Sequence, residues 1–164
     1  MNALLDNLPE GLKHTAFVRL FGLTKVPLIW FIRPSVIELG SINTVIKVPF
    51  KRKNKNHLGS MYFGVLCTAA DIAGGVAAMK HINESGEKVS LSFKDFKAEF
   101  HKRAEGDTFF TNTQGAEIKE FISSVIKSGE RENMTVDVVA TTPSKMGDEP
   151  VATFQLTLSC KKKS

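Results

Sequence analysis

A single carboxylate, Asp71, interrupts the longest apolar stretch of the 164-residue sequence. Residues 61–79 hold no other charged side chain, and at about 100° per residue their apolar and small side chains leave no polar face. The stretch therefore predicts a helix that is buried nearly all round, with its small residues pressed close against another backbone. Because an unpaired buried charge is costly, Asp71 is the first residue that we expect to carry chemistry.

Two other reactive side chains lie near Asp71, and neither has a recognisable partner. Cys67 would need a base to act as a nucleophile, and no motif places a histidine to activate it, so we interpret it as a buried small hydrophobe. His57 is either a base or ligand, or a loop histidine without chemistry. The remaining histidines form no paired ligand spacing, and we expect no metal site.

The composition is that of a single globular domain, with 42% hydrophobic residues. The longest apolar run near the start, residues 28–32, is far shorter than the roughly 20 residues needed to cross a bilayer. We recognise no secretion signal, and two cysteines without a metal or redox spacing suggest a reducing compartment. We therefore expect a cytoplasmic protein without a transmembrane segment.

The net charge of +5 is concentrated in residues 51–55 and 161–163. A solvated loop and a solubilising tail would account for it, and so would a phosphate-bearing ligand or an acidic surface. No aromatic residues are interleaved with the basic ones, as proteins that bind single-stranded nucleic acid require. We expect no nucleic-acid partner.

The start of the chain predicts helical structure. Residues 9–23 read as an amphipathic helix, which we expect to cover the sheet or to contact another subunit, with docking to a membrane surface as the alternative. Its apolar stripe contains Leu12, Ala16, Leu20 and Leu23. Residues 26–32 fit a short helix or an extended run, and Pro27 and Pro34 argue against one long element.

The remaining pattern predicts a sheet and a second helix. Alternating apolar residues predict strands at 36–39, 43–50, 89–100, 108–111, 134–141 and 151–160. The alternation changes parity near Lys94 and Asp95, which predicts a bulge. Residues 118–126 have the apolar spacing of a helix that ends near Gly129. An antiparallel sheet wrapped round one apolar helix is the simplest way to bury both, so the predicted fold class is α+β.

This layout and the central stretch resemble the hotdog-fold acyl-CoA thioesterases, in particular the branch with phenylacetyl-CoA thioesterases and an uncharacterised group of thioesterase-like domains. That branch typically has Asn, then Gly three residues on, then His-Gly-Gly, then Asp nine residues after the His. Asn56, Gly59, Gly64 and Asp71 match this pattern with its spacing preserved. Tyr62 stands in place of the family His, and Phe63 in place of the first Gly.

The resemblance covers roughly residues 35–160 and implies a hotdog domain over residues 35–164, preceded by a helical extension over residues 1–34. It also implies a thioester bound at a subunit interface, with its carbonyl oxygen aimed at the start of the long helix. Free backbone N–H groups and the helix dipole there stabilise a developing oxyanion, and Phe63 and Gly64 would supply the donors.

The resemblance gives the other site residues their expected roles. Asp71 would activate a water as general base or attack the thioester as nucleophile, a choice that the sequence leaves open. Asn56 would orient the water or hold the loop through side-chain to backbone hydrogen bonds. Coenzyme A enters as part of the substrate rather than as a cofactor, and its phosphates would seek basic side chains. The candidates are Lys53, Lys55, Lys94, Lys97 and Arg103.

In hotdog enzymes the acidic residue and the oxyanion donors usually come from different subunits, which implies a homodimer, alone or paired into a tetramer. Three function classes follow. The first is a hydrolase that cleaves an acyl-CoA thioester. The second is a non-catalytic acyl-CoA binding module, which the departures at Tyr62 and Phe63 keep open. The third is another hotdog chemistry such as hydroxyacyl dehydration, for which His57 is the nearby candidate base.

Overall fold

The computed structural model describes residues 9–163. This part of the chain begins with two helices, has one long helix near its middle and contributes its other elements mainly to a sheet. The elements in chain order are α1 (Glu10–Thr24), α2 (Pro27–Ile32), β1 (Ser35–Leu39), β2 (Thr44–Val48), a 3₁₀ turn (Arg52–Asn54), α3 (Phe63–Ser85), β3 (Val89–Phe100), β4 (Thr108–Asn112), α4 (Gly115–Ser128), β5 (Glu132–Thr141), α5 (Pro143–Met146) and β6 (Pro150–Lys162).

Six strands form one antiparallel sheet in the order β1-β2-β4-β5-β6-β3. The register of β3 against β6 shifts between Phe93 and Phe96, so the bulge predicted near Lys94 and Asp95 is confirmed. β3 lies at one end of the strand order, and within residues 9–163 it pairs only with β6. The strand that follows the central helix therefore has a free edge.

The sheet wraps round α3, which is the core of the domain. Eleven residues of α3 between Val65 and Ala78 are buried, as the unbroken apolar pattern predicts. The helix is long and apolar enough to cross a membrane, but most of that surface already packs inside the domain. The expectation of a close backbone contact was wrong: an added Cβ at Gly74 would lie 3.2 Å from the Val136 side chain, and one at Gly75 would lie 3.2 Å from the ring of Phe93.

The two N-terminal helices pack as a pair beside β1. Residues 27–32, which the sequence left undecided, are helical. The α1 helix is present as predicted, but it buries Thr15, Val18 and Gly22, while Leu12, Leu20 and Leu23 of the predicted stripe are exposed. The apolar stripe thus faces away from the sheet. The buried side of α1 contains Gly22, which has no side chain and so lets α2 pack closely there.

The second predicted helix is α4, and its apolar side chains Ile118, Ile122 and Val125 are buried. It ends at Gly129, whose φ of 73° lies in the left-handed region that glycine adopts most readily. This confirms the predicted helix and its end. The short α5 lies in the connection between β5 and β6.

Candidate functional site

The start of α3 presents two free backbone donors. Tyr62 is the N-cap residue, with extended backbone angles, and its side chain makes no capping hydrogen bond. The amides of Val65 and Leu66 both donate to the carbonyl oxygen of Tyr62, over 2.9 and 3.1 Å. Within the described residues, the amides of Phe63 and Gly64 have no acceptor. These N–H groups, at the positive end of a 23-residue helix, can bind an oxyanion.

Asn56 organises the loop that leads into α3. Its Oδ1 accepts hydrogen bonds from the amides of Leu58, at 2.9 Å, and Ser60, at 3.2 Å, and its Nδ2 lies 3.1 Å from the Ser60 hydroxyl. These hydrogen bonds hold the loop, which is one of the two roles expected of Asn56. The Ser60 hydroxyl is turned back toward Asn56, and Tyr62 occupies the cap position of the helix.

Asn54 is a structural residue of this site that sequence reasoning missed. It is fully buried, and its Nδ2 donates to the carbonyl oxygens of Ile32, at 3.1 Å, and Pro49, at 2.9 Å. Its own carbonyl oxygen accepts the amide of Tyr62 at 2.8 Å. Asn54 thus ties the helix start to α2. An isolated asparagine in a basic loop carries no sequence signal for such a role.

Aromatic rings surround the free amides. The rings of Tyr62 and Phe63 are 4.8 Å apart, and Phe63 meets Phe100 of β3 at 6.3 Å in an edge-to-face arrangement. Phe100 in turn contacts the buried Phe154. Tyr62, Phe63, Phe96 and Phe100 all remain exposed, Phe63 at 57%. The helix start therefore lies in an apolar, solvent-facing patch beside the free edge of β3.

Asp71 lies two turns further along α3, and its carboxylate has no hydrogen bond or ion pair with any residue in the range 9–163. It lines a cavity of about 180 Å³ between α1, α2, α3 and β3. The apolar lining includes Phe17, Phe21, Val26, Ile29, Leu91 and Phe93. Burial in these surroundings raises the pKa of Asp71 from 3.8 to about 6. An unpaired carboxyl with this pKa is suited to accept a proton near neutral pH.

The two halves of the site are separated along the helix. Asp71 comes eight residues after Phe63, and a rise of 1.5 Å per residue places the two about 12 Å apart along the helix axis. One thioester carbonyl cannot contact both groups in the same chain. The geometry brings Phe63 and Gly64 together and leaves Asp71 apart from them.

Two of the predicted phosphate ligands lie in the loop before α3. Lys53 donates to the carbonyl oxygen of Phe31 and lies 4.8 Å from the centre of that ring. Lys55 lies 4.0 Å from the ring centre of Phe50, and its backbone forms a bridge with Met61. Lys53 is thus held beside the end of α2, and Lys55 beside the start of α3.

The other three predicted ligands lie on or after β3. Lys97 forms an ion pair with Glu99 at 3.2 Å, while Lys94 and Arg103 are exposed. The residue after Arg103, Ala104, accepts the amide of Met61 at 2.8 Å. Arg103 therefore lies beside the start of α3, whereas Lys97 lies on a different part of the sheet, and the five side chains do not form one cluster.

The two thiols and His57 are poor candidates for chemistry. Burial raises the pKa of Cys67, and it raises the pKa of Cys160 to about 11. Both side chains therefore stay protonated near neutral pH, in agreement with the interpretation of Cys67 as a small hydrophobe. His57 is exposed in the loop. Among the described residues, no group of three or more histidine, cysteine or acidic side chains is placed to hold a metal ion.

Comparison with known proteins gives a family and a fold. The domain of unknown function DUF4442 matches residues 14–159. No curated protein matches the sequence. A Pseudomonas aeruginosa protein of unknown function has a similar structure, with a TM-score of 0.73, 22% identity, and coverage of 95% of this chain and 97% of that one.

Two further solved structures have the same architecture. A Chlorobaculum tepidum protein of unknown function has a TM-score of 0.78 at 13% identity, with 93% of this chain and 97% of that one covered. A Haemophilus influenzae thioesterase has a TM-score of 0.64 at 14% identity, with 87% and 88% covered. The family match spans most of the sequence, and the fold predicted from the resemblance is confirmed. The chain therefore belongs to the DUF4442 family and has the hotdog fold.

Proposed function

We propose that this protein hydrolyses an acyl-CoA thioester. The observation that carries the proposal is the Asp71 carboxylate, which faces an apolar cavity without a partner and has a pKa raised to about 6. A half-buried charge without a structural partner is destabilising, which makes a chemical role the better explanation of its presence. The Haemophilus influenzae thioesterase with the same fold supports the same reaction class.

The chemistry requires two groups on opposite sides of one carbonyl. Asp71 removes a proton from a water that attacks the thioester carbon, or attacks that carbon itself and forms an anhydride that water then cleaves. In either case the carbonyl oxygen becomes an oxyanion bound by the amides of Phe63 and Gly64. The carbon–sulfur bond then breaks, and coenzyme A leaves as a thiolate that takes up a proton.

The separation of about 12 Å within one chain supports a site shared by two subunits. The free edge of β3 and the exposed rings of Phe63, Phe96 and Phe100 beside it form an apolar surface that a second copy would cover. Pairing through these edges would supply Asp71 from one subunit and the helix start from its partner. We propose a homodimer, alone or paired into a tetramer.

The phosphates of coenzyme A would then bind near the start of α3. Of the five basic candidates, Lys55 and Arg103 have the strongest support, because the backbone of Lys55 pairs with Met61 and the residue after Arg103 accepts the amide of Met61. Lys97 has the weakest support, since Glu99 already neutralises it.

One observation favours a second function, acyl-CoA binding without turnover. The Tyr62 and Phe63 side chains stand at the helix start, where two bulky rings can restrict the approach of a carbonyl to the free amides. In that case the protein would bind a thioester and leave it intact.

Release of free thiol from a panel of short, medium, long and aromatic acyl-CoAs separates the two functions. Hydrolysis predicts release that is saturable in substrate, abolished in Asp71→Asn and kept in Cys67→Ala. Acyl-CoA binding measured by calorimetry without thiol release would establish the binding module instead. Release that is equally fast in Asp71→Asn would remove Asp71 from the mechanism.

A further inference from the structure

The outward surface of α1 and α2 is apolar. Gly22 brings the two helices together so closely that an added Cβ would lie 2.5 Å from the amide nitrogen of Trp30. Leu12, Leu20 and Leu23 of α1 line one open concavity together with Trp30 of α2, so the exposed apolar side chains of the two helices adjoin. The most prominent of these side chains are Leu12, Leu20, Leu23, Leu28, Trp30 and Phe31. The four leucines are each 51–54% exposed, an unusual density of large exposed apolar side chains in one place.

Cations border this surface on one side. The Arg33 guanidinium lies 5.6 Å from the centre of the Trp30 ring, and Lys53 lies 4.8 Å from that of Phe31. Beside them is an open concavity of about 410 Å³. Its basic lining consists of Arg19, Arg33, Lys47, Lys51 and Lys53. Asp107 pairs with Lys47 at 2.7 Å, and the other four cations have no ion-pair partner among the described residues.

The net positive charge of the sequence is concentrated in the same region of the chain. Residues 11–70 contain nine lysines and arginines and one acidic residue, Glu38. The rest of the chain holds thirteen basic and sixteen acidic residues. Burial and the neighbouring Arg33 and Arg19 lower the pKa of Lys53, as expected where cations crowd together without an anion. The whole excess of positive charge thus lies in the segment that contains the apolar surface.

We propose that the outer surface of α1 and α2 docks on an anionic phospholipid bilayer. Leucines that enter the acyl region, aromatic rings at the headgroup level and cations that meet lipid phosphates are the three features of an interfacial membrane site. A protein partner would need both a matching apolar face and acidic side chains placed opposite the basic concavity. The bilayer satisfies both parts of the surface at once.

Docking in this orientation places the bilayer close to the Asp71 cavity, a relationship to substrate that rests on the proposed function. Phe17, Phe21, Val26 and Ile29 of the same two helices line the cavity that contains Asp71. The bilayer and the proposed site would then be separated by a single layer of helices. Substrates would be acyl-CoAs whose chains are long enough to partition into the membrane.

Trp30 makes the docking directly measurable, because it is the only tryptophan in the sequence. The probe is vesicles of phosphatidylcholine with about 30% phosphatidylglycerol. Their addition should shift Trp30 emission to the blue, brominated lipid should quench it, and raised salt should weaken the binding. Unchanged emission with these vesicles, or an equal response to pure phosphatidylcholine, overturns the proposal.

Matched variants separate docking from general effects. Leu23→Glu and Leu28→Glu should each weaken vesicle binding at least about 10-fold, whereas Ile42→Glu, equally exposed in the turn between β1 and β2, should not. Lys51→Glu should weaken binding about 5-fold or more, and Lys119→Glu on α4 should not. If the variants and their controls bind alike, the surface is not the docking site.

The experiment must also distinguish the bilayer from a second copy of the chain that covers the same surface. A blue shift of Trp30 that depends on protein concentration without vesicles, and that Leu23→Glu abolishes, would identify self-association and overturn membrane docking. Because vesicle binding needs no turnover, its presence in Asp71→Asn would support docking even if hydrolysis were absent.

Discussion

The ring of Tyr62 lies directly against the α-carbon of Gly64, so close that a methyl group there would come within 2.6 Å of the ring carbon Cε1. Tyr62 stands where the thioesterases that the sequence resembles have a histidine. Its ring can occupy this position because residue 64 has no side chain. Gly64 lies in the first turn of α3, and its amide is free. The Tyr62 ring therefore covers one side of the proposed oxyanion site.

This contact predicts coupling between the two positions. Gly64→Ala should stabilise the Tyr62→Ala variant by about 0.5–1 kcal/mol, because alanine favours a helix over glycine. With Tyr62 present the same change should give no gain or a small loss, since the ring must move. Urea unfolding of the four proteins measures the coupling, which we expect to be about 1 kcal/mol. Equal effects in both backgrounds would contradict the contact.

Phe63 allows the proposed oxyanion donor to be removed alone. Proline is well tolerated at the first position of a helix, and Tyr62 already has the extended conformation, with ψ of 136°, that the residue before proline prefers. Phe63→Pro should therefore fold normally but lower the rate of thioester hydrolysis about 10²–10³-fold relative to Phe63→Ala. Both variants lack the Phe63 ring, so the difference between their steady-state rates measures the effect of the N–H group alone. Similar rates would show that the Phe63 amide does not bind the oxyanion.

Asp71→Asn should increase stability at neutral pH. Because the folded pKa of about 6 lies above the unfolded value of 3.8, the folded state binds more protons between these values and loses stability as pH rises through that window. The neutral amide removes this loss, so the free energy of unfolding at pH 7 should rise by about 1–2 kcal/mol. Below pH 4 the two proteins should differ little. Denaturant unfolding at both pH values tests this, and a variant that is less stable at pH 7 would indicate a structural partner for Asp71.

Phe100→Glu should separate the subunits. The ring lies 6.3 Å from Phe63 in the exposed patch beside the edge of β3, and a charge there would be placed in the proposed interface. Analytical ultracentrifugation should find a monomer for this variant and a dimer or tetramer for the native protein. Ile37→Glu, which is exposed on β1 at the opposite end of the sheet, is the control. Unchanged assembly in Phe100→Glu would exclude this patch from the interface.

Periodicity predicted most of the elements and the α+β class, and the resemblance predicted the hotdog fold. The unbroken stretch around Asp71 predicted a buried helix, and the change of parity near Lys94 predicted a bulge, and both are present. The sequence left open whether the stripe of α1 covers the sheet or faces outward, and the exposed Leu12, Leu20 and Leu23 exclude only the first. Amphipathic spacing identifies an apolar side of a helix, and only tertiary structure shows what that side meets.

The site was less predictable, because its features depend on contacts between distant residues. The free amides at Phe63 and Gly64 follow from where the helix begins, which the resemblance implied. The roles of Asn54 and of the Tyr62 ring depend on contacts with Ile32, Pro49 and Gly64, for which the sequence offers no periodic signal.

The central claim is that Asp71 of one subunit and the helix start of its partner form one site, and mixed dimers test it most directly. Asp71→Asn and Phe63→Pro chains carrying different tags would be expressed together, and the mixed dimer purified through both tags. One of its two sites would contain an intact Asp71 and an intact Phe63 amide, so the mixed dimer should regain about half of the activity of the native dimer. A mixed dimer no more active than its two inactive parents would contradict the shared site.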